Sequence, residues 1–245
     1  MAGEITLIVT GRYGQGTRET NEMVMSILGE QNTKDKFNVY FNWYNTVHEV
    51  GHVVEQIISD NICGLLEREL FANEFAVAFW AHYGDKKTFD CLKEFVYATA
   101  QRFERPIAEN EDISDCARRF ESGELEFNFN NYGWFQFSLV KLVLGKIRNL
   151  ESVLKSAGFA LNKIPSPQTL AFSSLEAYAT PEILKAVFAK LDELGIKMPR
   201  PVYHVLSDDP NAHMAFSCET PEAIEEMGVS MENANLIWMP SCTIL

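Results

Sequence analysis

The sequence predicts an α+β protein, mostly helical, with a small β-sheet beside one central helix. Three observations predict it. Apolar residues recur at helical spacing over 47–58, 65–83, 86–101, 136–156 and 181–194. Runs of strand character are few and short, at 5–10, 37–44, 202–206 and 235–239. One helix carries His48-Glu49-Val50-Gly51-His52, two imidazoles four residues apart with a carboxylate between them.

Ile5 to Thr10 reads as a strand. Gly11-Arg12-Tyr13-Gly14-Gln15-Gly16-Thr17 comes next, a glycine turn before a helix at about Glu19 to Leu28. The turn lacks Gly-Lys-Ser/Thr and the GxGxxG spacing, so a plain strand-to-helix connection is preferred to a phosphate loop. Phe37 to Tyr44 alternates and is rich in aromatic and β-branched types, which predicts a second strand. Such a strand would pair with the first and offer an extended peptide an edge.

Asn45 or Thr46 is the expected cap of the next helix, and Thr46 with Glu49 has capping-box spacing. Val47, Val50, Val53, Val54, Ile57 and Ile58 form its apolar stripe. On a helix, His48 and His52 share a face and can take one metal ion. Glu49 points toward the same pocket, able to hold and deprotonate a water. Gly51 costs stability inside a helix, and a small residue there lets another backbone approach.

The helix over Leu65 to Tyr83 is apolar nearly all round, so it should be buried. Glu69 and Asn73 lie four apart on one face of it. A buried carboxylate is costly unless paired or metal-bound, which makes Glu69 the candidate third ligand. Glu67 lies about 200° round the helix from Glu69. Glu74 lacks a polar companion in a position to orient a histidine, and His82 is opposite in phase.

Lys86 to Gln101 reads as an amphipathic helix, 104–128 as an acidic irregular stretch, and Gln136 to Ser156 as a helix. Tyr132, in the aromatic turn before that helix, is a candidate donor to a substrate oxyanion, with Tyr83 behind it; aromatic packing competes for the same residue. Pro165 and Pro167 break the chain. A helix at about Pro181 to Leu194, a strand at Val202 to Leu206, helix signals at Thr220 to Met227 and a strand at Asn235 to Met239 complete the order. His204 and His213 read as ordinary histidines.

With 245 residues the chain can bury a sizeable core. A net charge of −13 disfavours nucleic acid and anionic membranes as direct partners. The five cysteines, Cys63, Cys91, Cys116, Cys218 and Cys242, show no paired spacing and suggest reduced thiols. With neither a signal peptide nor a membrane span in the sequence, the expected location is the cytoplasm.

Glu69-Leu70-Phe71-Ala72-Asn73-Glu74-Phe75-Ala76 after HExxH resembles the E-x-x-A-[ND]-x-F-A element of gluzincin metallopeptidases. It is most similar to that of the ImmA/IrrE-type family of small bacterial and phage enzymes. The resemblance covers about residues 37 to 83. The whole chain is read as a minimal zincin core with a helical extension over 1–160 and a helical or irregular C-terminal region over 161–245, or as one domain. The resemblance implies Zn2+ held by His48, His52 and Glu69, Glu49 as general base, and Asn73 as a residue orienting a ligand. Many gluzincins carry Asp where Asn73 stands. ImmA/IrrE-type proteins typically pair with or carry a helix-turn-helix repressor, and no such segment reads out of this sequence.

The expected function is therefore zinc-dependent hydrolysis of a peptide or protein substrate. The alternative is a catalytically silent zinc-binding scaffold that holds a protein partner. A phosphate-binding module built on Gly11 to Thr17 ranks last.

Overall fold

The structure is a computed structural model and describes residues 4–58, 64–162, 167–218 and 234–240. Strand β1, Ile5–Gly11, is buried along its whole length. It lies inside a four-stranded mixed sheet of order β3-β1-β2-β4, with β2 at Val202–Ser207, β3 at Met214–Cys218 and β4 at Asn235–Trp238. β1 runs parallel to β2, with Ile8 opposite His204, and antiparallel to β3, with Ile8 opposite Ala215. Because side chains alternate across a strand, Ile8 joins the main core while Ile5, Leu7 and Val9 join a separate cluster with Val205 on the other face. The sheet thus draws strands from both sides of residue 160 into one element.

The long connection from β1 to β2 carries the helices. They are α1 (Arg18–Leu28), α2 (Thr33–Phe37), a π-helix (Asn38–Tyr44), α3 (Asn45–Ile58), α4 (Leu65–Tyr83), α5 (Lys86–Thr99), α6 (Ile113–Glu121), α7 (Phe129–Gly145), α8 (Leu150–Ser156) and α9 (Thr180–Glu193). The α+β, mostly helical class is the one the periodicities predict. The apolar helix at 65–83 is α4, and its second half is almost wholly buried. Among the described residues, no helix is long and apolar enough to cross a membrane.

Four expectations need correction. Residues 38–44 are not a strand; the chain is helical without a break from Thr33 into α3. Asn45 N–H bonds the Tyr40 carbonyl, the i to i−5 pattern of a π-helix. Period-two alternation misleads here because the burial itself alternates: Asn38, Tyr40, Asn42 and Tyr44 are buried on one parity, and of the odd positions only Trp43 joins them. The wide coil is held from within. Asn42 Nδ2 donates to Asn38 Oδ1 at 3.0 Å, and the Thr46 hydroxyl donates to the Asn42 carbonyl at 2.7 Å.

No capping box forms at Thr46, because no helix begins there. The acidic stretch at 104–128 contains α6, opened by a capping box between Asp112 and Asp115. The helix expected at 136–156 is two, α7 and α8, separated by a bend after Gly145. Strand β3 lies in a tail without alternation, and residues 220–227 lie outside the described residues.

Candidate metal centre

Two helices build the site, and Gly51 sets their spacing. A Cβ added to Gly51 would lie 2.7 Å from Ala72 Cα and 3.2 Å from Ala72 Cβ. Only glycine lets α3 and α4 approach this closely. The crossing brings Glu69, one turn before Ala72, against His48 and His52. His48 Nε2 and His52 Nε2 are 3.2 Å apart. Glu69 Oε2 lies 3.3 Å from the first and 3.7 Å from the second. All three residues are buried, and among the described residues they form the one His/His/Glu group able to hold a metal ion.

The triangle has the dimensions of a metal face. Donors about 2.0–2.1 Å from a tetrahedral zinc lie roughly 3.3–3.4 Å from one another. Two imidazole nitrogens aimed at each other, with a carboxylate oxygen completing the triangle, suit a cation in the middle. Glu69 reflects the same field. Burial would raise its pKa, but hydrogen bonds from His48 and His52 hold it well below the usual carboxylate range. For His52, burial opposes the charge, yet Glu55 and Glu69 outweigh it and raise its pKa to about 10.

Asn73 reaches the backbone of Glu69 and the π-helix, not a histidine ring. Asn73 Oδ1 accepts from the Tyr44 hydroxyl at 2.6 Å and its Nδ2 donates to the Glu69 carbonyl at 2.7 Å, so it braces the ligand's helix. The carboxylate facing a histidine is Glu55, whose Oε2 lies 3.5 Å from His52 Nδ1. Its other oxygen lies 3.8 Å from Arg68 Nε. Sequence reasoning misses Glu55 because it resembles any polar residue between apolar ones. Its position three residues past His52, hence over the same face, is the available signal.

Glu49 is 5 % exposed and accepts from Asn45 Nδ2 at 3.1 Å. Burial raises its pKa, with His48 and His52 opposing. Tyr132, on α7, donates from its hydroxyl to Glu69 Oε1 at 3.1 Å. Burial and then Glu69 hold its pKa well above the phenol range. Gln136, one turn on, donates to Glu69 Oε2 at 2.7 Å and reaches the Tyr132 oxygen at 2.8 Å. Gln136 also escapes the sequence reading; its spacing of four from Tyr132 is the only hint.

His48, Glu49, Tyr132 and Gln136 line one cavity of about 340 Å³. Tyr83, the second oxyanion candidate, does not line it. Glu67 is exposed, and Glu74 pairs with Arg148 at 2.6 Å. His204 is buried in β2 beside Thr10, while His213 forms part of the cavity wall. No family profile, curated protein or solved structure matches the chain.

Proposed function

We propose that the chain is a zinc-dependent peptidase of the gluzincin type. The observation that carries this reading is the convergence of three metal-donor atoms beside a buried carboxylate, with His48 and Glu49 open to a cleft. Zinc bound there would supply Lewis acidity, polarising a peptide carbonyl and acidifying water.

The remaining chemistry belongs to the chain. Glu49 takes a proton from the attacking water and later returns it to the leaving amine. Its raised pKa suits a group that must both accept and release a proton. Asn45 fixes one Glu49 oxygen and leaves the other for water. Tyr132 cannot ionise readily, so it keeps its proton; that O–H is given to Glu69 Oε1 here and would have to turn from Glu69 to the carbonyl oxygen as charge develops there. Gln136 holds Tyr132 and Glu69 together. Burial of the two histidines and Glu69 limits competing water.

Glu49→Gln is the test. Wild-type protein with added zinc should cleave a mixed peptide library, read by mass spectrometry. Glu49→Gln should bind as much zinc and lose roughly a hundredfold to ten-thousandfold in rate. Equal cleavage by both proteins would remove Glu49 from the mechanism. Absence of cleavage by zinc-loaded wild type would overturn the peptidase reading.

A further inference from the structure

We infer that the cleft beside His48 and Glu49 is a pocket for a large apolar side chain, aromatic by preference, on the bound peptide. The inference rests on the peptidase reading for the fate of that peptide, whereas binding itself is tested separately.

The walls are the reason. Met23 and Ile27 of α1 face the cleft, with Phe41 of the π-helix, Phe129 of α7, and Phe103 from the segment after α5. Phe103 is set in place by Gly133. A Cβ on Gly133 would meet the Phe103 ring 2.3 Å away, so glycine is what lets that ring lie against α7. Phe103 then packs on Phe129 and Phe137, with ring centroids 5.9 and 5.4 Å apart. Phe127 also lines the cleft and is 60 % exposed, though its ring packs on Phe120 at 4.3 Å.

The lining also excludes alternatives. Among the described residues it contains no Lys, Arg or Asp, and Glu49 is its only carboxylate. An anionic side chain would lose water there with no Lys or Arg to meet it, and a cationic one would find only Glu49, already held by Asn45. The cavity of about 340 Å³ would otherwise hold about ten waters against aromatic walls. Replacing them with an aromatic ring removes apolar surface from water on both partners and adds edge and face contacts. The aromatic wall is joined by polar groups such as Asn45, Asn128 and Gln136, and apolar surface with convergent polar groups is the usual form of a recognition site.

The experiment uses zinc-loaded Glu49→Gln protein, so that a bound peptide stays intact. End-blocked Ala-Ala-X-Ala-Ala peptides with X as Phe, Ala, Lys or Glu are titrated by calorimetry. The Phe peptide should bind about tenfold to a hundredfold more tightly than the Ala peptide, as burial of one aromatic side chain implies. Lys and Glu should bind no more tightly than Ala. Met23→Lys in the same background should abolish the Phe preference, with its melting curve recorded to establish folding. If Met23→Lys does not fold, the ranking of the four peptides on the Glu49→Gln protein decides alone. Equal affinity for all four, or tightest binding of Lys or Glu, overturns the pocket. Phe-selective binding with no cleavage by wild type upholds the pocket and overturns the peptidase; cleavage without Phe-selective binding does the reverse.

Discussion

Glu55 is a carboxyl side chain only 4 % exposed, on the buried side of α3. Its neighbours are the outer nitrogen of His52 and the guanidinium of Arg68. A carboxylate behind a ligand histidine fixes the ring and raises its basicity, and removing such a group typically costs tenfold to a hundredfold in metal affinity. Glu55→Gln should keep the fold and lose affinity by about that factor, measured by competition with a chromophoric chelator. Unchanged affinity would show that Glu55 serves only to pair Arg68. At this scale the sequence is informative where spacing fixes direction. His48, His52 and Glu69 are legible because helical phase places them. The resemblance makes Asn73 a residue that orients a ligand; in the fold it bonds the Glu69 carbonyl and also Tyr44, which no local pattern relates to it.

Between elements, one contact decides the site: Gly51 against Ala72. Gly51→Val would drive a branched side chain into the backbone of α4, where nothing can rotate away. Expected are a loss of about 1–3 kcal/mol in urea unfolding, as for other overpacked sites, and a zinc content well below one per chain. Gly123→Ala is the control: the space around it is open, so any effect comes from its positive φ and not from packing. Full zinc occupancy in Gly51→Val would show that the crossing does not set the ligand triangle. Helices α3, α5 and α9 are readable because each buries a stripe at the α-helical period; α6 is not, because its short apolar face sits within an acidic stretch. Nor is the π-helix, since its buried residues fall almost all on one parity and its composition is that of a strand. It supplies Tyr44 to Asn73 and Phe41 to the cleft, and Trp43 stacks on Trp80 of α4 with centroids 4.1 Å apart. A segment whose burial imitates a strand's period gives the sequence no sign that it is helical.

For the molecule as a whole, the sheet ties distant parts of the chain together. His204 sits inside it, fully buried, with Nε2 2.8 Å from Thr10 Oγ1 and Nδ1 without a partner. Burial pushes its pKa down to about 4. Above about pH 6.5 the ring is neutral folded or unfolded, and stability is unaffected. Below that, the unfolded chain takes up a proton that the folded chain refuses. Stability should fall by about 3 kcal/mol between pH 6.5 and 4 on account of this residue. Urea unfolding of wild type and His204→Gln across that window should show a shallower decline in the variant; parallel declines would exonerate His204. The partners of β1 are not readable, because pairing across the whole chain leaves no trace in local spacing. That pairing has a consequence during synthesis. From Gly11 to Val202 is 202 − 11 = 191 residues. At about 5–20 residues per second, β1 waits roughly ten to forty seconds for its parallel neighbour to leave the ribosome. Throughout that interval Ile5, Leu7, Ile8 and Val9 form a short apolar segment with neither edge covered, the state in which nascent chains are most exposed to aggregation and most in need of a chaperone.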